Sequence, residues 1–488
     1  MNICPHTQPI KGIRTGVAIS IMTQKAELVI VPAPLVGHIV SIVELAKLLL
    51  DRDHRLSITV LIIRHPLDPI ANTVVQAVLS ADSRIRLLHL PEIEPPPAEL
   101  LKCPENFITT YIKSLMPHVK HSIINNVLSS NPVDTALAGI VFDLFCSSVV
   151  DVANELGVPS YLFYTSGAAF LGLNLYFPVM KKECTLSDPD SVVSTFSCPV
   201  PARVLPTFAF VEEGFKSFAY SGRKFREAKG MIINTFEELE PYAIQALASD
   251  PDLPPVYAVG PMLSPQDHHN GKEEILDWLS QQPPSSVVFL CFGSQGGFEA
   301  PQIHQIAEAL ERSGHRFLWS IRRPQSLNKA EVAGELSDLD GILPEGFAER
   351  TRERGMVCGW APQIEVLAHR ATAAFVSHCG WNSILESVRH GVPIVTWPMY
   401  AEQQTNAFLL VKELGVGVEL TVDYRRTQAA ERVIMADDIE RAIRGVMDAE
   451  NPVRKRANEI GEIGRHALLD GGSSFFALQR LINDIFRN

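Results

Sequence analysis

The stretch "SHCGWNSILESVRHGVP", residues 377–393, gathers His378, Asn382, Ser383 and Glu386 around the start of a helical pattern that closes at Gly391. No lysine or arginine occurs in it before Arg389. The first N–H groups of a helix have no partner within the helix, and together they carry about half a positive charge. An anion is therefore held at such an end without a basic cluster. His378, Asn382 and Ser383 add side-chain donors, and Gly380 lets backbone approach closely. The combination suits a diphosphate. Taken alone, the same residues also make an ordinary helix start, with Asn382 or Ser383 as the cap and Glu386 completing a capping box.

Three nearby stretches favour a ligand. "VVFLCFGSQGGF" places Gly293, Ser294, Gly296 and Gly297 after an apolar strand, although it is neither a P-loop nor a G-x-G-x-x-G turn. "GWAPQIEVL" places Trp360 after the "MVCG" strand. An indole there is a core or cleft-wall residue, or a stacking surface for a flat base worth ~1–3 kcal/mol. Gln363 and Glu386 suit ribose hydroxyls. "WPMYAEQQTN" begins a helix with Glu402 and Gln403. A carboxylate accepts and an amide both donates and accepts, which fits sugar hydroxyls; the plainer role for Glu402 is a favourable charge at a helix start.

Group transfer to a hydroxyl also needs a base. In "PAPLVGHIV", His38 follows the first apolar strand through a loop "PLVGH", and in "IVFDLFC", Asp143 ends another strand. A histidine titrating near neutrality suits general-base work. An aspartate on its far ring nitrogen fixes the tautomer and stabilises the imidazolium, as in a Ser-His-Asp triad with an acceptor hydroxyl in place of serine. A lone histidine is more often structural, and it is the aspartate that argues for chemistry here. Leu35, Val36, Gly37, Leu144, Phe145 and Tyr400 flank these positions and, with Phe107 in "ENFITTYI", are expected to line an apolar acceptor pocket. His118, His121, His268 and His269 have no metal-ligand context, and no metal site is expected.

All of these residues follow strands, where ligands bind in open α/β sheets. "ELVIVPA", "RLSITVLII", "RIRLLHL", "DTALAGIVFD" and "SYLFYTS" read as strands, alternating with helices "IVELAKLLLDRD" and "VDVANELGVP" and followed by "KGMIINTFEEL". That is a doubly wound α/β domain, placed at 22–260. The Pro-, Gly- and His-rich texture of 251–274 locates a linker at 261–274. The alternation restarts with "SVVFLCFGS", the helix "QIHQIAEALERSG" capped by Gly314, "RFLWSIR", "TAAFVSH", "GVPIVTWP" and "TNAFLLVKELG". A second domain is placed at 275–465. Residues 326–341 read as an exposed acidic loop. Residues 466–488 hold an amphipathic helix expected to pack back toward the first domain. Residues 1–21 read as a disordered extension, with Met22 an alternative start. The fold class is α/β: two doubly wound Rossmann-like domains facing across a cleft.

Composition narrows the function. The 488-residue chain has a formal net charge of -12 and no basic stripe, which argues against nucleic-acid binding. Its 8 cysteines form no C-x-x-C pair and mostly sit in apolar runs, as buried free thiols of a reducing, cytoplasmic setting do. No apolar run approaches the ~20 residues that span a bilayer, so no integral membrane association is expected. The chain is expected to act as a monomer.

Residues 360–403, "WAPQIEVLAHRATAAFVSHCGWNSILESVRHGVPIVTWPMYAEQ", resemble the 44-residue signature box of plant family 1 UDP-glycosyltransferases. The W-A-P-Q start, the H-C-G-W-N-S core with Glu386 three residues on, and the closing E-Q all fall at the family's spacing. The order of strands and helices resembles that family from about residue 25 to the end, leaving residues 1–21 uncovered. The resemblance implies a GT-B fold and a role for each matching position. Trp360 would stack on uracil and the Ala361 backbone would bond it. Gln363 and Glu386 would hold ribose. Ser294, His378, Asn382 and Ser383 would bind the diphosphate. Trp381, Glu402 and Gln403 would hold the sugar, helped by Thr165. His38 and Asp143 match the family's base and its partner. Many members have Asp where Glu402 stands, and often proline where this chain has Ser41. A closing Gln is associated with glucose donors, so UDP-glucose is the expected donor substrate, with no prosthetic group.

The implied reaction is inverting transfer of glucose to a hydroxyl of a small, partly apolar phenolic or flavonoid, giving a β-glucoside. Three other readings compete. One is the same fold using another UDP-sugar. Another is a nucleotide-sugar-binding protein without transferase activity, which an intact His38–Asp143 pair opposes. The third is a nicotinamide-dependent oxidoreductase, which the missing G-x-G-x-x-G opposes.

Overall fold

The computed structural model describes residues 25–68, 82–129, 135–180, 183–263, 271–322, 342–426 and 432–487, with Asn72, Thr73 and Val78 between the first two spans. The 1–21 extension, most of the 261–274 linker with His268 and His269, and the 326–341 loop lie outside the described residues. Short runs of Val, Ile, Leu and Phe buried on both faces make parallel strands, as two-sided cover requires.

The first sheet contains β1 (Lys25–Val31), β2 (Leu56–Ile62), β3 (Ile85–His89), β4 (Thr135–Asp143), β5 (Ser160–Tyr164), β6 (Gly230–Ile233) and β7 (Val256–Ala258). Its order is β3-β2-β1-β4-β5-β6-β7. The second contains β8 (Val287–Cys291), β9 (Arg316–Ser320), β10 (Gly355–Cys358), β11 (Thr372–Ser377), β12 (Ile394–Thr396) and β13 (Gly417–Glu419), in the order β10-β9-β8-β11-β12-β13. All strand pairs are parallel. The two sheets share one design. Each grows outward in one direction from its first strand, then switches to the other side, and the crevice beyond such a switch is where ligands bind. In the first sheet the switch lies between β1 and β4, which His38 follows and Asp143 ends. In the second it lies between β8 and β11, which Ser294 and His378 follow.

The helices that bear on the site and the domain interface are α1 (Val36–Arg52), α2 (Pro104–Ser114), α3 (Ala168–Tyr176), α4 (Gln363–Ala368), α5 (Trp381–Arg389), α6 (Gln403–Leu409) and α7 (Ser473–Ile485). The expected "PLVGH" loop is shorter than its sequence suggests. Leu35 is extended and serves as the N-cap of α1, so Val36, Gly37 and His38 form that helix's first turn. Nothing after Pro34 prevents a helix, and a base on a helical turn is held more rigidly than one on a loop.

One apolar cluster runs through both domains, including Leu162 and Tyr164 of the first and Phe289 and Phe375 of the second. Helix α7, although last in the chain, buries Leu478, Leu481 and Ile485 against Ile30, Ile42 and Ile58 of the first domain. Arg52 fixes the approach to it, donating to Leu468 O at 3.2 Å and lying over the Phe475 ring. Seven cysteines among the described residues are free thiols, most of them buried. No helix among the described residues is long and apolar enough to cross a membrane.

Candidate functional site

The first half of the site is built at the β1–β4 switch. Val31 of β1 lies opposite Phe142 of β4, so Asp143 emerges beside the start of α1. Asp143 is completely buried. One carboxylate oxygen lies 2.8 Å from His38 Nδ1 and the other accepts from Phe145 N at 2.9 Å. A carboxylate only accepts, so Nδ1 carries the proton and Nε2 is the basic nitrogen. Burial opposes charge on the ring. The Asp143 charge and hydrogen bond, aided by Glu402, outweigh it and raise the His38 pKa above its ordinary value. Phe145 lies against the imidazole, ring centroids 5.3 Å apart, and packs edge-on against Phe218.

The second half is built at the β8–β11 switch. His378 follows β11 and is almost fully buried. Its ring fits because two glycines face it: a Cβ at Gly293 would lie 2.7 Å from His378 Nε2, and one at Gly380 would lie 2.5 Å from it. Burial alone lowers the His378 pKa to about 4, so the ring is neutral. Its Nδ1 has no hydrogen-bond partner among the described residues, and such an orphaned polar atom is costly unless a ligand uses it. Between these residues Cys379 takes φ +62, which a non-glycine residue rarely adopts. The turn delivers α5 with Gly380 as its N-cap and no side-chain cap. Asn382 and Ser383 are therefore inside the helix rather than capping it, and the first N–H groups of α5 stay available.

Gln363, first residue of α4, donates to Ser383 Oγ at 2.8 Å and to Glu386 at 2.6 Å. The three form one polar cluster beside half-buried Trp360 and buried Ala361. Burial raises the Glu386 pKa to about 7. Glu402 is the N-cap residue of α6 and follows Ala401, a second non-glycine residue at positive φ, +53. Burial raises the Glu402 pKa, and the charge of His38 opposes that rise. The two groups thus feel each other's charge. Ser294 is exposed, and its carbonyl is within 3.4 Å of an Arg322 nitrogen.

Several side chains are placed differently from their sequence-based roles. The Trp381 indole is buried and donates to Asn234 O of the first domain at 2.7 Å. Thr165 Oγ1 lies 3.0 Å from His38 Nδ1, which makes it a neighbour of the base. The Gln403 amide oxygen is occupied by Met399 N at 2.9 Å and Tyr400 N at 3.1 Å. Asn382 bonds Gly37 O of the first domain at 3.1 Å. Tyr400 packs with the second domain's cluster, its ring 6.4 Å from that of His378. Val36 packs on the α7 side of the first sheet. Leu144 and Phe107 are buried beside the 144–146 turn, and Gly37 is exposed at the start of α1.

Sequence reading passed over Arg322 and Arg426. They donate to the carbonyls of Ser294 at 3.4 Å and Gln295 at 3.3 Å, bringing to this loop the positive charge that the 377–393 stretch lacks. Arg322 lies just past a strand end, and that position was a usable signal. Thr405 and Arg425 were also passed over. They bind Val204 O at 2.8 Å and Arg203 O at 2.8 Å, tying the second domain to the first through carbonyls that no sequence pattern marks.

Comparison with known proteins agrees with this geometry. A family model described as "UDP-glucoronosyl and UDP-glucosyl transferase" matches residues 251–455. The chain is 46% identical over 477 residues to UDP-glycosyltransferase 71K2 of Pyrus communis, covering 95% of this chain and 98% of that one. It is 45% identical over 485 residues to the putative UDP-glucose flavonoid 3-O-glucosyltransferase 3 of Fragaria ananassa, covering 95% of this chain and all (100%) of that one. Among solved structures, Medicago truncatula UGT71G1 complexed with UDP-glucose superposes with a TM-score of 0.84 at 44% identity, over 95% of this chain and 98% of that one.

Proposed function

The chain belongs to the plant family 1 UDP-glycosyltransferases, and from that premise we propose that it transfers glucose from UDP-glucose to a hydroxyl of a small phenolic or flavonoid-type acceptor with inversion, giving a β-glucoside. The observation that carries this reading is the 2.8 Å His38–Asp143 pair at the first switch point, whose histidine feels the charge of Glu402 from the second domain. The UDP-glucose in the Medicago structure and the flavonoid in the Fragaria relative's name support the choice of substrates.

The steps follow from the chemistry. The acceptor hydroxyl lies beside Phe145, and His38 Nε2 takes its proton as the oxygen bonds to C1 of the sugar. The bond from C1 to the diphosphate oxygen breaks on the opposite face, and its electron pair leaves with UDP. Asp143 stabilises the imidazolium. The first N–H groups of α5 and the neutral His378 ring face the charge that grows on the leaving diphosphate. Gln363 and Glu386 hold the ribose, Trp360 the uracil, and Glu402 the sugar. Residues 22–260 bind the acceptor and 275–465 the donor, in a monomer working in the cytoplasm.

The test is incubation with UDP-glucose and a panel of phenols and flavonoids, with UDP release and product mass recorded. A hexose added to an acceptor with inverted linkage, abolished in His38→Ala while UDP still binds, is the expected result. Product with a different UDP-sugar alone would change the donor. Tight UDP binding with no transfer to any acceptor would favour a nucleotide-sugar-binding protein.

A further inference from the structure

Asn382 is the second residue of α5 in the donor half, yet its side chain is engaged by the other domain. Its Nδ2 donates to Gly37 O at 3.1 Å, and its Oδ1 accepts from Ser41 Oγ at 3.3 Å. Gly37 directly precedes His38, and Ser41 lies on the next turn of the same helix face. Ser41 is 1% exposed. Its hydroxyl is also 3.2 Å from Gly37 O, the carbonyl four residues back. The approach is close: a Cβ at Gly37 would lie 3.3 Å from Asn382 Nδ2. The Gly37 carbonyl, the Ser41 hydroxyl and both ends of one amide therefore form a small ring that joins the helix of the base to the helix facing the diphosphate.

The polarity of this ring decides its function. An amide has a donor end and an acceptor end. Gly37 O requires the donor end. Among the described residues Ser41 is the donor within reach of the other end, its one proton shared between Asn382 Oδ1 and Gly37 O, so its hydroxyl favours this orientation of the amide. An apolar residue at position 41 would leave Oδ1 against α1 without a donor, and the amide would turn or withdraw.

We propose that Ser41 is a positioning residue for the transfer reaction: through Asn382 it sets the distance between His38 on α1 and the start of α5. The inference rests on the reading of His38 as the base. Its consequence is specific, because alignment of base, acceptor oxygen and leaving group governs the chemical step, whereas UDP is held within the second domain. Loss of the Ser41 hydroxyl should lower kcat and spare UDP affinity.

Ser41→Thr and Ser41→Val share the same added bulk and differ in the hydroxyl, so their ratio isolates it. With UDP-glucose and the flavonol quercetin, kcat of the Thr variant should exceed that of the Val variant by roughly 5-fold, the size expected for one hydrogen bond. The UDP dissociation constants from calorimetry should agree within about 2-fold. Equal kcat values, or a difference confined to UDP affinity, would overturn the proposal. Ser41→Ala, smaller than the native residue, covers the case where the bulky pair does not fold. Combined with Asn382→Ala, its loss of kcat should be less than additive, and full additivity would also overturn it. His38→Ala in the same assay separates the two readings. Retained turnover there removes the base and this inference together, while an inactive His38→Ala with equal Thr and Val variants removes this inference alone.

Discussion

His38 and His378 lie on opposite sides of the switch point in their two sheets: His38 follows the first strand, β1, whereas His378 follows β11, the counterpart of β4. They are tuned in opposite directions. A buried carboxylate lies 2.8 Å from His38 and holds its pKa up against burial. Among the described residues no carboxylate charge offsets burial at His378, which takes its pKa down to about 4. The same residue type at the switch point of the same fold is thus held with a raised pKa in one domain and neutral above about pH 4 in the other. The difference lies in what the facing strand end supplies: Asp143 from β4, against glycine and serine in the loop after β8. Charge partners, more than topology, set protonation.

The widest separation between the two should come from removing the ring. His38→Ala should cut kcat by roughly 10²–10⁴-fold with UDP affinity intact; a variant with near-normal turnover would end the comparison. Next in size, Asp143→Asn should lower kcat by about 10²-fold or more and move the acidic limb of the kcat/KM profile to lower pH. The base works only when neutral, so activity falls as pH drops through the raised His38 pKa, and without Asp143 burial pulls that value down. His378 adds no inflection above about 4. His378→Ala should show the reverse pattern, raising the UDP dissociation constant by about 10-fold while leaving the shape of the pH profile unchanged, as read by calorimetry and initial rates. Glu386 gives the smallest effect. Its pKa of about 7 means that it gains a proton just below neutrality, so donor KM should rise roughly 2- to 5-fold toward pH 6, and Glu386→Gln should flatten that dependence.

A second contrast concerns how much of each half could be read from residue order. The donor half was legible because its parts are contiguous. Residues 360–403 contain the segments that follow three strands, β10, β11 and β12, in one run, so spacing carried the geometry. The acceptor half combines distant pieces. His38 and Asp143 lie 105 residues apart, and only the rule that ligands meet strand ends brought them together. The same rule would have pointed to Arg322, two residues past the end of β9, which was passed over because its neighbours show no motif. Where individual side chains turn proved harder to read, even inside the box. Trp381 reaches Asn234, 147 residues away. Gln403 folds back on Met399 and Tyr400. Thr165 settles beside His38. The first choice depends on how the domains dock, and the other two on which partner lies nearest within one domain.

The amino-acid order by itself determined the parallel strands, the two switch points and the family, and it singled out the His38–Asp143 pair that the structure brings together. These follow from local apolar runs and from loops that must leave strand ends. Only the tertiary structure decided which polar groups remain free for a ligand and which are used between the domains. Trp381, Asn382, Thr405 and Arg425 are all engaged by first-domain carbonyls, and a carbonyl is present at every residue, so no pattern of side chains predicts which one will be met. The positive φ of Cys379 and Ala401 belongs to the same class: strain at these two turns after strand ends is tolerated because the packed sheets around them hold it in place.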